Sequence, residues 1–155
     1  MYNIMYCQEL IKMKVVNKKA KRNYNILEKF EAGLVLTGAE ARAARSGAID
    51  LNQSYAKIVN GEAYLLNMNL TRSNNKNLEP TRTRKLLLHK DELISISTKI
   101  KAKKLTLIPL SVYTKGRLIK ARLALAKSKK KYEKKEATKK KDVEREIAQQ
   151  TRNKY

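Results

Sequence analysis

The sequence predicts a mainly β fold, a small antiparallel barrel with short helices, followed by a basic C-terminal tail. Three observations carry this reading. Short runs rich in β-branched, aromatic and leucine residues recur between turn signals. The clearest is SYAKIVNGEAYLLNM, in which Asn60-Gly61 suits the positive φ values of a type I′ hairpin turn. The chain then changes character after Ala126, where lysines replace large aliphatic residues. Finally, a net charge of +22 is spread over both parts: residues 1–126 carry +15, and twelve Lys and Arg face five Asp and Glu from Lys127 onward.

Residues 1–13 read as a poorly packed N-terminal extension. MYNIMYCQELIK lacks the basic start, long apolar stretch and small-residue cleavage site of a secretory signal, and Met13 is a second candidate for the natural start. Cys7 is the only cysteine, so it has no internal disulfide partner, which fits a reducing cytoplasm.

The barrel is assigned to residues 14–126. The basic cluster Lys18, Lys19, Lys21 and Arg22 lies just outside a first strand through Tyr24, Ile26, Glu28 and Phe30. Ala32-Gly33 interrupts that strand, Gly33 marking a bulge or tight bend, and residues 34–36 resume it. In TGAEARAARSG, Thr37 and Glu40 have capping-box spacing and Gly47 can close the short helix, from which Arg42 and Arg45 face solvent or RNA. Strands at 54–59 and 62–68 form the hairpin, and residues 71–81 form a polar loop. RKLLL is either a short extended segment or a first helical turn, and a helix starts near Lys90 with Asp91 and Glu92 in its first turn.

LTLIPLSVYTKGRLIKARLALA supplies two strands around Lys115-Gly116. Strict alternation puts Leu105, Leu107 and Pro109 on one face and Thr106, Ile108, Leu110 and Val112 on the other. Pro109 cannot donate to a ladder, so its strand is an edge or is broken by a bulge there. Ile119, Ala121, Leu123 and Leu125 go to the core, while Lys120 and Arg122 go to solvent or RNA. Tyr55, Tyr64 and Tyr113 each sit in an expected strand and are assigned to the core. Together these elements suggest an OB-fold-like six-stranded antiparallel β-barrel.

Chemistry by the chain itself has few candidates. His89 is the only histidine, no Cys pair or phosphate-loop motif is present, and the carboxylates are scattered. No catalytic residue, metal ligand or cofactor is assigned. With no apolar run of about eighteen residues, a membrane is a poor partner for the charge. The tail, residues 127–155, has only Val143 and Ile147 as aliphatic residues larger than Ala, so it is disordered or helical and gains order from a polyanion. The dispersed tyrosines offer no paired stacking motif, which favours recognition of RNA shape and backbone.

The ordered segments NKKAKRNY, FEAGLVLTGAEARAARSG, SYAKIVNGEAYLLNMNL, RTRKLLLHK, LTLIPLSVY and LAKSKKKYEKK resemble SmpB, the SsrA-binding protein family of bacterial ribosome rescue. Ala43, Ser128 and Glu133-Lys134-Lys135 depart mildly from the family pattern. The resemblance implies a monomeric adaptor that binds the tRNA-like domain of transfer-messenger RNA (tmRNA) and accompanies it to stalled ribosomes. Its implied partners are tmRNA, both ribosomal subunits and, through the tmRNA complex, elongation factor Tu. Matching tmRNA-binding positions are Asn17, Glu31, Arg45, Leu87 and Lys120, to which the basic cluster adds Lys18, Lys19 and Arg22. Glu31 either accepts a hydrogen bond from RNA or pairs with a nearby lysine on the strand surface. In the tail the resemblance places Lys127, Lys129 and Lys130 at the root and Tyr132, Glu133, Lys134 and Lys135 near the decoding region. Val143 and Ile147 then mark a helix that forms inside the empty messenger channel. An ordinary ribosomal or RNA-chaperone protein is the alternative.

Overall fold

The computed structural model describes residues 13–70 and 79–152. In order the elements are β1 (Lys14–Val16), α1 (Lys18–Asn23), β2 (Tyr24–Leu34), α2 (Gly38–Arg45), β3 (Ile49–Asp50), β4 (Tyr55–Val59), β5 (Glu62–Leu66), β6 (Asn69–Leu70), β7 (Arg84–Leu87), α3 (Lys90–Lys103), β8 (Thr106–Lys115), β9 (Leu118–Ser128) and α4 (Lys131–Arg152). Strands β8, β4, β5, β7, β2 and β9 pair antiparallel in that order, and β9 pairs again with β8. The sheet therefore closes into a six-stranded barrel. β1 occupies the part of β8 that β4 leaves unpaired, and β3 with β6 forms a separate ribbon.

The six strands are not quite the expected six. Residues 34–36 do not form a strand of their own, because β2 runs unbroken through Gly33 to Leu34. The sixth strand is β7, so the RKLLL segment is extended. Gly33 is not a bulge either: the register shift in β2 falls between Ile26 and Glu28, while Gly33 pairs with Leu87 on one side and Lys120 on the other. A Cβ at Gly33 would lie 3.3 Å from the Leu87 Cβ, so close packing of the two strands, not a turn, is what requires glycine.

In β8 the ladder is interrupted between Pro109 and Ser111, at the place the missing proline N–H demanded. That extra residue reverses the alternation. Val112 joins Leu107 and Pro109 on the side facing Ala121, Leu123 and Leu125, instead of lying with Ile108. Leu65, Leu86, Leu107, Val112, Leu123 and Leu125 are closed from solvent and Ile96 of α3 joins them. Ile108 and Ala124 instead face outward into a smaller cluster covered by Ala20 of α1. Of the three tyrosines assigned to the core, Tyr113 is buried and Tyr64 half-buried, but Tyr55 is exposed.

Both chain ends of the barrel differ from their expected boundaries. Met13 belongs to it: its N–H donates to Thr114 Oγ1 at 3.0 Å and its carbonyl accepts from Thr114 N at 3.0 Å. At the other end β9 continues past Ala126, pairing Lys127 with Asn25 and Ser128 with Tyr24. Of the two states open to the tail, disordered or helical, the helix is the one formed, as α4. Local bonds support it: Glu133 accepts from Lys130 N at 2.7 Å, and Thr138 Oγ1 donates to the Lys134 carbonyl at 2.9 Å.

The capping box of α2 is present, Thr37 N donating to Glu40 at 2.8 Å and Glu40 N to Thr37 at 3.4 Å. Glu40 does more than cap. Its buried carboxylate also takes Arg82 Nη2 at 2.7 Å and Arg84 Nε at 3.0 Å. Arg84 is itself fully buried and donates to the carbonyls of Met68, Arg82 and Pro80. All three nitrogens of the guanidinium are thus engaged, the condition under which a buried cation is tolerated. The predicted loop lies mostly outside the described residues, but its Pro80 end is fastened here, with Leu70 N also donating to Pro80 at 3.2 Å.

Candidate nucleic-acid interface

Strand alternation sorts the barrel into an apolar inner face and a charged outer one. On the outside, Gly33 stands between Leu87 and Lys120, and Glu31 stands beside Arg122. Because residues two apart share a face, Glu31, Leu87, Lys120 and Arg122 form one surface, and Tyr113 enters it as the β8 partner of Lys120. Three positions implied by the family resemblance, Glu31, Leu87 and Lys120, therefore come together across three strands. Arg45 adjoins this surface from α2, its Nη2 donating to the Arg117 carbonyl just before β9 at 3.1 Å.

Glu31 is the hub of that surface. One carboxylate oxygen accepts from Lys120 Nζ and the other from the Tyr113 hydroxyl. The Lys120 bond first, and the Tyr113 bond after it, hold the Glu31 carboxyl below the usual range, so it is ionised at neutral pH. Tyr113 responds in the opposite direction: burial, then the Glu31 bond, raises its phenol. The Arg122 guanidinium lies 5.5 Å from the centroid of the Tyr113 ring, a cation–π distance. Of the two roles open to Glu31, the lysine pair is the one formed in the free chain.

An open groove of about 330 Å³ continues from Arg122 toward α1, with Lys14, Lys21 and Lys29 along it. None of these four cations is in a salt bridge among the described residues. Opposing acids elsewhere have found partners, Glu28 with Lys99 at 2.7 Å and Glu62 with Lys85 at 2.6 Å. Lys14, Lys21, Lys29 and Arg122 therefore give this groove a run of positive charge suited to a row of phosphates. Lys14 and Lys29 lack any local motif, and only their register with β8 and β9 gathers them.

Other expected contacts fall elsewhere. Asn17 is buried and caps α1: its Oδ1 accepts from Ala20 N at 3.1 Å, while Nδ2 donates to the carbonyls of Leu51 at 3.0 Å and Pro109 at 3.1 Å. Both polar atoms of its side chain are engaged internally, and they hold α1 in place. Lys18, Lys19 and Arg22 are exposed on that helix, next to the groove. Lys129 at the tail root docks on α1 as well, its backbone N–H donating to Asn23 at 2.9 Å and its Nζ to the Lys21 carbonyl at 3.2 Å. Lys127, Lys130, Tyr132 and Lys135 are exposed beyond it, Lys134 is half-exposed, and Ile147 is exposed further along α4. Glu133 serves as the cap described above.

A closed barrel with a cationic groove on its outer surface and a basic helical extension defines a nucleic-acid-binding protein of the oligonucleotide-binding-barrel class. The family model described as SmpB protein matches residues 14–153, and the chain belongs to that family. The SsrA-binding protein of Persephonella marina is 44% identical over 147 residues, 93% of this chain and 97% of that relative. The SsrA-binding protein of a Sulfurihydrogenibium species is 49% identical over 139 residues, 88% of this chain and 91% of that relative. Among solved structures, a chain from "tmRNA-SmpB: a journey to the center of the bacterial ribosome" superposes with a TM-score of 0.65 at 39% identity, covering 81% of this chain and 94% of that one. Among the described residues no helix is long and apolar enough to cross a membrane.

Proposed function

We propose that the chain is a cytoplasmic, non-enzymatic adaptor of trans-translation. It binds the tRNA-like domain of tmRNA, the SsrA RNA, and delivers it to stalled ribosomes, where the tail probes the decoding centre and the empty messenger channel. The observation that carries this reading is the division of labour in the molecule. The barrel presents a fixed RNA-binding face built on Glu31, Leu87, Lys120 and Arg122, whereas α4 leaves the barrel from Lys130 as a separate basic element. Elongation factor Tu and both ribosomal subunits are the further partners. Sequencing the RNA that copurifies with the chain from its native cell should return one dominant tRNA-like species. A broad coat of ribosomal fragments would instead favour a general rRNA-binding protein.

The groove supplies a sharper expectation about the barrel. Replacing Lys29 and Arg122 by Ala should flatten the slope of log Kobs against log salt for tmRNA by roughly one to two, since each neutralised phosphate contributes about 0.7 to 0.9. Thermal stability should change little because both side chains are exposed. An unaltered slope would place the phosphates elsewhere on the protein.

A further inference from the structure

α1 is a ridge with a cleft on each side, and Asn17 lines both. The second cleft, of about 200 Å³, differs in chemistry from the cationic groove. Only one cation, Lys19, lines it. Its remaining character comes from the phenol rings of Tyr24 and Tyr55 and from the amides of Asn23, Asn52 and Gln53. Tyr24 is held by packing against the small cluster under α1, whereas Tyr55 is 39% exposed on strand β4.

The floor and the rim of this cleft contrast. Ser54 at the floor gives its hydroxyl to the Leu51 carbonyl at 2.6 Å, and Asn17 is committed as already described. Along the rim, neither phenol nor any of the three side-chain amides has a hydrogen-bond partner among the described residues. A rigid floor below an unused set of aromatic faces, donors and acceptors is poor at holding phosphate. It matches instead a flat, uncharged ring with polar edges.

We propose that this cleft receives one unstacked RNA base, with Tyr55 as the stacking surface and the amides of Asn52 and Gln53 bonding to the base edge. The inference rests on the RNA-binding reading above and adds a base contact to what is otherwise backbone recognition. Its position is informative. Tyr24 pairs with Ser128, and Asn23 accepts from Lys129 N, so the cleft opens at the point where the tail leaves the barrel. A base bound there lies one ridge away from the phosphate groove and at the root of α4. Such a base can come from tmRNA or from ribosomal RNA, and the test has an arm for each.

Full-length Tyr55→Leu, Tyr55→Phe and Tyr55→Trp chains would be titrated with a transcript of the tRNA-like domain and, separately, with small ribosomal subunits. Stacking on an aromatic side chain predicts a loss of about 5- to 150-fold for Tyr55→Leu in the arm that supplies the base. Tyr55→Phe should retain affinity in that arm. The wild-type chain has no tryptophan, so Tyr55→Trp places a single reporter in the cleft, and its emission should be quenched by the same RNA. Affinity of Tyr55→Leu within about twofold of wild type in both arms, together with no quenching of Tyr55→Trp, would overturn the proposal. A Tyr55→Phe chain as weak as Tyr55→Leu would also overturn it, because stacking would not be the property lost. Failure of the wild-type chain to bind either RNA would strike the functional reading itself, a result distinct from both.

Discussion

Ending the chain after Lys130 is expected to abolish peptide tagging on stalled ribosomes while leaving affinity for the tRNA-like domain within about twofold. The boundary matters. A cut after Ala126, where the sequence changes composition, would remove the Asn25–Lys127 and Tyr24–Ser128 pairs of the barrel and the Lys129 bond to α1. A cut after Lys130 removes only α4, whose 22 residues extend about 33 Å at 1.5 Å per residue. Tyr132, Val143 and Ile147 of α4 are exposed, and no described side chain of α4 belongs to the barrel core. The measurements are tmRNA-fragment binding and tagging in a reconstituted translation reaction. Equal loss of both would mean that barrel and tail are not separable modules.

Replacing Glu40 by Ala should destabilise the barrel by about 3–5 kcal/mol, because it strands the fully buried Arg84 guanidinium without its counter-charge. For a chain of this size that corresponds to a fall in Tm of roughly 6–20 °C. Glu28→Ala is the control: its pair with Lys99 is exposed, and such pairs contribute about 1 kcal/mol or less.

The same site predicts an acid limb. Burial by itself raises the Glu40 carboxyl, but the Arg82 bond, the Thr37 backbone N–H and Arg84 outweigh it and bring the pKa from 4.5 to about 2. A carboxylate depressed on folding contributes its stability above its unfolded value. That contribution, about 3 kcal/mol for a shift of this size, is lost as pH falls from about 4.5 toward 2. Urea unfolding across that range should show the loss in the wild type and a much flatter profile in Glu40→Gln. Identical profiles would assign acid sensitivity to other carboxylates.

Local chemistry made much of the barrel legible. Asn60 and Gly61 do adopt φ of +51° and +77° between β4 and β5, Thr37 and Glu40 do cap α2, and Pro109 does interrupt β8. What escaped were features that depend on a partner distant in sequence. RKLLL became a strand because β5 and β2 pair with it. Val112 changed sides because one extra residue at the bulge shifted the alternation. Tyr55 carries the same strand preference as Tyr113, yet it stands exposed on β4.

The interface was readable to a similar depth. Alternation alone turned Lys120 and Arg122 outward, and the family resemblance supplied Glu31 and Leu87. It took the register of five strands to join them to Tyr113, Lys14 and Lys29. Asn17 shows the reverse case. The family resemblance implied an RNA contact for it, whereas in the fold every polar atom of its side chain binds α1, Leu51 and Pro109 together.

By itself, then, the sequence determined the hairpin turn, the caps, the facing of the β9 side chains, the charge and the family. The tertiary structure decided which cations share a groove, which tyrosine meets solvent, and that Glu40 neutralises a buried arginine 44 residues away. Those outcomes depend on barrel closure, since only closure fixes the distances between strands that are remote in sequence and the solvent that each side chain loses.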